Sequence, residues 1–157
     1  MLSGRFGDTS HRPYVEGLLA IPRLGALGTV SFLLDTGADG TFLMPTDGLT
    51  IGLDYSLLLP PVGGGISASS ADTREHREEA VVMFTDGTDL LAYNIELGIL
   101  PWDPDMQRIP SLLGRDILHR WAMTYDYEGR TLTFEAHTAD VVIPAPGAFP
   151  EPGLRYQ

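Results

Sequence analysis

The strongest constraint on the fold is the grouping of apolar residues into short runs that end at Gly, Pro or Asp. Eighteen Gly and 12 Pro are spread over 157 residues, and apolar positions rarely recur at the spacing of an amphipathic helix. Short runs bounded by turn residues are typical of β-strands. With 43% hydrophobic residues, the chain can form a core, and its length suits one domain. A single, largely β domain is therefore expected.

Turn chemistry places several of the strands. The segment 22–25 predicts a turn between strands at 14–21 and 28–34. The Asp86-Gly87 pair predicts a hairpin turn between strands at 80–84 and 90–97. The remaining predictions are a helical turn capped by Thr46, a strand at 57–59, an exposed mobile segment at 67–79, a short helix at 117–121 and a last hairpin of 123–127 with 130–134.

The charge composition excludes several classes of function. Ten Arg, no Lys and 21 acidic residues give a formal net charge of −11, so a general nucleic-acid or anionic-membrane binder is disfavoured. Without Cys there is no disulfide framework, thiolate metal site or thiol nucleophile. Without Lys there is no Schiff-base lysine and no P-loop lysine. The chemistry must come from carboxylates, His, hydroxyl groups or a bound metal.

Targeting and metal signals are absent from the sequence pattern. Residues 1–10 contain no apolar run typical of a secretory signal, and no stretch reaches the ~18 apolar residues of a membrane-spanning helix. A cytoplasmic protein is the resulting expectation. The four His are scattered and form no His-x-x-x-His or His-x-His pair, so we expect no metal site and no cofactor.

The tripeptide Asp35-Thr36-Gly37 is the main candidate for chemistry. It follows the apolar run 30–34, and a carboxylate at the end of a buried strand, two places before a Gly, lies in a tight turn that a ligand can approach closely. The simpler interpretation is an ordinary turn between strands, since Asp and Gly are common turn residues. The tripeptide occurs once in the chain, so its context must decide between these interpretations.

That context resembles the retroviral-type aspartic proteases, the retropepsins. The segment 33–39 looks like their active-site loop. Three further segments occur in the order of that family: Arg12-Pro13 with Val15 before the first barrel strand, a glycine-rich flap tip at 62–66, and an apolar-apolar-Gly-Arg segment at 111–118 that opens a helix. The resemblance covers about residues 12–134 and is more specific than any one motif.

The resemblance assigns roles to the residues of the candidate loop. Asp35 matches the catalytic aspartate. The Thr36 hydroxyl matches the group that holds two such loops together across a dimer, and the Gly37 carbonyl matches one that meets substrate backbone. Ala38 and Asp39 match substrate-binding positions.

It also assigns roles outside the loop. Arg115 matches the partner of Asp39 within the chain, and Arg12 matches its partner from the other chain. The flap residues implied to contact substrate are Gly63, Gly64, Gly65 and Ile66. The resemblance further implies an all-β fold: a closed barrel with a flap hairpin and one short C-terminal helix, formed by residues 1–138. Residues 139–157 are expected to be a Pro-rich, frayed tail.

Peptide hydrolysis by carboxylates needs two of them, one to activate water and one to protonate the substrate. One Asp-Thr-Gly per chain therefore implies a homodimer acting as an aspartic endopeptidase on peptides or unfolded proteins, with apolar side chains flanking the cut. The alternative is a dimeric peptide-binding or scaffold protein of the same fold that cleaves nothing.

Overall fold

The computed structural model describes residues 1–62 and 75–144. Within these ranges the chain is mostly β-strand, with two short α-helices, α1 (Pro45–Thr50) and α2 (Arg115–Leu118). Short 3₁₀ helices lie at Pro22–Leu24, Tyr55–Leu57 and Pro104–Met106. The strands are β1 (Leu2–Ser3), β2 (Arg5–Phe6), β3 (Pro13–Ile21), β4 (Ala26–Leu34), β5 (Phe42–Leu43), β6 (His76–Thr85), β7 (Asp89–Ile99), β8 (Leu112–Leu113), β9 (Trp121–Asp126), β10 (Thr131–Ala136) and β11 (Val141–Pro144).

Six of these strands close into a ring. Strand β3 pairs with β4, and β4 continues through β8, β5, β7 and β6 back to β3. The β4–β8 and β5–β7 pairs are parallel and the other four are antiparallel. Closure leaves this ring without a free edge. The closed all-β barrel predicted from the sequence is confirmed.

Strand alternation places the apolar side chains inside the barrel. In β3 the side chains of Val15, Leu19 and Ile21 are buried, and in β6 those of Val82 and Phe84 are buried, each set two or four residues apart. Such alternation follows from the two-residue period of a strand. Complete burial of each large apolar side chain is worth about 1.5–3 kcal/mol, so the barrel interior is the main source of stability.

A second sheet, in the order β1-β10-β9, packs beside the barrel. Its Trp121 and Phe134 are buried. The Trp121 indole N–H donates to the Tyr93 hydroxyl at 2.8 Å, and its ring meets Phe84 edge-on with centroids 4.9 Å apart. These contacts join the second sheet to strands β6 and β7 of the barrel.

The predicted turns and hairpins are confirmed. The turn between β3 and β4 ends at Gly25, whose φ of 63° is the left-handed conformation that favours glycine. Gly87, in the β6–β7 turn, has a φ of 90°. The last hairpin is formed by β9 and β10, with Thr131 opposite Asp126.

Two local predictions are wrong. Thr46 does not cap a helix: α1 begins at Pro45 with Met44 at its N-cap, and the Thr46 hydroxyl donates to the Gln107 carbonyl instead. Helix α1 lies where the sequence predicts a helical turn, but it begins one residue before Thr46. Residues 57–59 form no strand, because Tyr55–Leu57 is a 3₁₀ helix capped by the Asp54 carboxylate.

Two segments expected to be exposed and irregular are strands. Residues 76–79 belong to β6, where Glu78 is buried and receives hydrogen bonds from Arg23. Residues 141–144 are not frayed but form β11, which pairs antiparallel with β7. In both cases the strand partner is β7. His76 at the start of β6 pairs with Ile99 at the end of β7, and Val141 of β11 pairs with Ala92, so neither pairing is visible in the local sequence. The rest of these two predictions, at 67–74 and 145–157, lies outside the described residues.

Candidate active site

The Asp35 loop begins where β4 leaves the barrel. Strand β4 runs parallel to β8, and the Leu33 N–H donates to the Ser111 carbonyl at 2.8 Å. The Asp35 N–H donates to the Leu113 carbonyl at 3.0 Å. Because these bonds continue to Asp35 itself, the position of its backbone is fixed by the sheet.

The loop then turns tightly on its own hydrogen bonds. The Gly37 N–H donates to the Asp35 carboxylate at 2.9 Å, and the Ala38 N–H donates to the Asp35 carbonyl at 3.2 Å. A Cβ on Gly37 would lie 3.2 Å from the Asp35 carboxylate, which leaves little space for a side chain there. Asp35 is partly buried, and Thr36 and Gly37 are exposed.

The start of α2 holds the other side of the loop. The Arg115 N–H donates to the Ala38 carbonyl at 2.9 Å, and the Arg115 guanidinium donates to the Thr36 carbonyl at 2.8 Å. The same guanidinium forms an ion pair with the Asp39 carboxylate. The structure therefore brings together Asp39 and Arg115, which the resemblance paired, although 76 positions separate them.

A buried network that the sequence analysis missed lies directly beneath this contact. Thr41 is fully buried, and its hydroxyl donates to the Asp116 carboxylate at 2.8 Å while accepting the Gly114 N–H at 3.2 Å. The Thr41 N–H donates to the second Asp116 oxygen at 3.0 Å. Buried polar groups satisfied in this way fix a single arrangement. The only sequence signal was the position of Asp116 within the Gly-Arg segment.

A second missed contact braces β8. The Ser111 hydroxyl is buried, donates to the Asp47 carboxylate at 2.6 Å and accepts the Met44 N–H at 2.9 Å. It thus ties β8 to the start of α1. A lone Ser before an apolar pair carries no signal of this role in the sequence.

An open cavity of about 650 Å³ lies over the loop. Four of the predicted residues, Asp35, Gly37, Ala38 and Asp39, line it. Its other lining residues are Gly40, Thr41, Phe42, Glu75, Arg77, Asn94, Ile95, Glu96, Gly98, Leu112 and Asp116. The position of β6 and β7 along its side was not foreseen, because residues 75–79 were expected to be exposed.

The remaining predicted residues do not line this cavity among the residues that the structure describes. Thr36 and Arg115 border a separate cavity of about 260 Å³, together with Trp121 and Met123 at the start of β9. Arg12 is exposed just before β3. Gly63, Gly64, Gly65 and Ile66 lie outside the described residues. Trp102 borders a different surface depression with Leu49 and Tyr55.

Residues 1–62 and 75–144 contain no group of three or more His, Asp or Glu side chains arranged to hold a metal ion. No helix in that part of the chain has the length and apolar character needed to cross a bilayer.

Comparison with solved structures identifies the fold. The chain superposes on a retropepsin-like aspartic protease from Rickettsia conorii with a TM-score of 0.55 and 19% identity, covering 84% of this chain and 86% of that one. The chain has the retropepsin-like fold. EIAV protease in complex with the inhibitor HBY-793 matches with a TM-score of 0.46 and 18% identity, over 72% of this chain and 90% of that one.

The sequence alone matches no family model and no curated protein. The likeness is thus one of three-dimensional structure. At 19% identity it establishes the fold, and the chemistry has to be argued from the Asp35 loop.

Proposed function

We propose that this chain is an aspartic endopeptidase that acts as a homodimer. The observation that carries the proposal is the Asp35 carboxylate, held by backbone hydrogen bonds beside an open cavity large enough for an extended peptide segment. The chain has one Asp-Thr-Gly, so the second carboxylate comes from Asp35 of another copy. A two-fold axis would place both carboxylates together.

The chemistry follows from the repulsion of two adjacent carboxylates, which keeps one proton shared between them. The ionised carboxylate removes a proton from water, whose oxygen attacks the peptide carbonyl carbon. The protonated carboxylate donates to the carbonyl oxygen. The tetrahedral diol then collapses: one of its hydroxyl groups returns a proton to the carboxylate that had donated one, the C–N bond breaks, and the amine nitrogen takes the proton that the other carboxylate had removed from water. The products are a carboxylic acid and an amine.

Strand β9 is the proposed contact between the two copies. It forms the edge of the β1-β10-β9 sheet among the described residues, and an unpaired edge is a template for another strand. Its Met123 and Tyr125 are 43% and 49% exposed. Met123 also borders the cavity that contains Thr36, so antiparallel β9–β9 pairing across a two-fold axis would bring two Asp35 loops towards each other.

The remaining predicted residues receive substrate-binding and supporting roles in this proposal. Ala38 and Asp39 line the cavity beside Asp35 and would meet the backbone of an extended peptide. Residues 63–66 would form a flap over it and exclude water when closed. Arg12 of the second copy would approach the exposed side of Asp39, whose other contact is Arg115.

The test is cleavage of an unfolded protein and a peptide library between pH 3 and 7, the range in which shared carboxylate pairs titrate. Asp35→Asn removes a general acid–base group and is expected to lower cleavage at least about 100-fold. It should leave the fold and the dimer intact. Asp105→Asn, which changes an exposed loop carboxylate outside the cavity, is the matched control and should cleave normally.

Two results would contradict the proposal. Full activity of Asp35→Asn would exclude the mechanism. A dimer that binds peptides but cleaves none at any pH would instead identify a peptide-binding or scaffold protein.

A further inference from the structure

Glu75 is an unusual lining residue of the Asp35 cavity. It is 3% exposed, although ionisable side chains are rarely buried unless their charge is fully compensated. Its Oε1 forms an ion pair with Arg77. Its Oε2 is also buried, and no hydrogen-bond partner for it lies among the residues that the structure describes. One half of a buried carboxylate is thus left without a donor at the edge of the site.

The absence of a side chain at Gly98 makes room for this carboxylate. A Cβ on Gly98 would lie 3.0 Å from Glu75 Oε2 and 2.5 Å from the Phe42 ring. Both Gly98 and Phe42 line the same cavity as Asp35. The unsatisfied oxygen therefore lies beside Gly98, in the wall of the cavity that β5 and β7 form.

The charges of the cavity favour a cation. Five acidic residues and one basic residue line it, namely Asp35, Asp39, Glu75, Glu96, Asp116 and Arg77. Asp116 is satisfied by Thr41, and Asp39 is paired with Arg115. Arg77 is shared between Glu75 and Glu96, with 3.4 Å between its Nη1 and Glu96 Oε1. One guanidinium does not offset the carboxylates that remain.

We propose that the cavity contains an acidic subsite, centred on Glu75, that binds a Lys or Arg side chain of the peptide close to the scissile bond. The apolar residues Phe42 and Leu112 would pack against the aliphatic part of such a side chain. Its cationic end would supply the donor that Glu75 Oε2 lacks. This inference names the substrate preference of the site and rests on the proposed peptide-binding function.

Arg77 offers the opposite preference. Its Nε is buried and has no partner among the described residues, so it could in principle attract an acidic side chain. Its guanidinium already contacts two carboxylates, whereas Glu75 Oε2 has no hydrogen-bond donor within 1–62 and 75–144. The balance of charge therefore favours a basic peptide side chain, and peptides with Glu at the same position test the acidic preference.

The experiment measures binding of octapeptides built around a central Phe-Phe pair, in which one position at a time is Lys, norleucine or Glu. Isothermal titration with the full-length Asp35→Asn protein avoids cleavage during the measurement. At one position near the centre, Lys should bind at least about tenfold more tightly than norleucine, which has a similar length but no charge. Glu should bind more weakly than norleucine at that position.

Variants test whether the preference for Lys depends on Glu75. In the Asp35→Asn background, Glu75→Gln should lower the Lys-to-norleucine affinity ratio at least about fivefold. The control is Glu79→Gln, the same change at an exposed position of the same strand that does not line the cavity, and the ratio should be unchanged. Thermal unfolding checks that each variant is folded. Should Glu75→Gln fail to fold, the comparison of peptides on the parent protein decides.

Equal affinity for Lys and norleucine at every position, tighter binding of Glu, or no binding of any peptide would overturn the inference. Failure of the proposed protease activity is separable. Wild-type protein that cleaves none of these peptides, while the Lys preference persists in binding, would refute hydrolysis and leave the acidic subsite supported.

Discussion

Gly114 lies so close to Gly40 that a Cβ on Gly114 would stand 2.1 Å from the Gly40 carbonyl oxygen. The two glycines belong to the two segments that support Asp35, the loop after β4 and the start of α2. Gly114 has a φ of −96°, which any residue can adopt, so the need for glycine here is one of space rather than backbone strain. This close approach lets Arg115 reach the Thr36 carbonyl and the Asp39 carboxylate.

Gly114→Ala should therefore destabilise the protein. Forcing a methyl group into this contact is expected to lower the free energy of unfolding by about 1–3 kcal/mol, measured by urea denaturation. The matched control is Gly40→Ala, whose Cβ would meet only the Asp116 carboxylate at 3.9 Å, an ordinary contact distance. Equal effects of the two substitutions would contradict the account of this contact.

The Arg23–Glu78 ion pair should make stability depend on pH. Hydrogen bonds from Arg23 lower the pKa of Glu78 below its ordinary value of 4.5, against burial, which raises it. Because the pKa is lower in the folded state than in the unfolded state, the pair contributes its full stabilisation above pH 4.5. That stabilisation is lost as the pH falls through the folded-state pKa.

Glu78→Gln tests this dependence. We expect its free energy of unfolding to lie below that of the wild type near neutral pH and the difference to shrink as the pH falls below 4.5. Urea midpoints at pH 3 to 7 measure this. The free energy of unfolding of Glu79→Gln, at the exposed neighbouring position, should differ from that of the wild type by the same amount at every pH. A difference between Glu78→Gln and the wild type that stays constant from pH 3 to 7 would refute the explanation.

If the two copies meet through β9, a charge introduced on this strand should dissociate the proposed dimer. Met123→Asp places a charge, repeated by symmetry, on the exposed edge strand and should weaken dimerisation at least about tenfold, because like charges in an interface cost several kcal/mol. Analytical ultracentrifugation measures the dimer dissociation constant, and cleavage should fall in parallel at low protein concentration.

Leu27→Asp is the control for this prediction. Leu27 is 59% exposed on β4, so the same kind of substitution is made on a surface away from β9. It should leave the dissociation constant unchanged. An unaltered dimer in Met123→Asp would assign the contact to another surface.

Local patterns were sufficient to predict most of the strands. Short apolar runs bounded by turn residues located β3, β4, β6 and β7, and turn residues such as Gly25 and Gly87 located the hairpins. Predictions failed where a distant partner overrides a polar local sequence. Glu78 is buried because Arg23 meets it from 55 positions away, and the Thr46 hydroxyl is directed to Gln107, 61 positions away, instead of to its own helix.

The candidate site divides in the same way. The sequence shows the Asp35-Thr36-Gly37 motif, its place after a buried strand and the Gly114-Arg115 segment. The Thr41–Asp116 contact and the burial of Glu75 are not visible there, since the first joins residues 75 positions apart and the second depends on packing against Gly98 of β7. Residues 63–66, predicted as the flap, lie outside the described residues, and their role stays a prediction.

The sequence by itself determined the strand content, the hairpin turns and one loop with a candidate catalytic carboxylate, because these depend on neighbouring residues and their period. The tertiary structure decided the closure of the barrel, the joining of Asp39 to Arg115 across 76 positions and the acidic composition of the cavity. These features arise from packing between segments far apart in the chain, and only the folded protein fixes which side chains meet there.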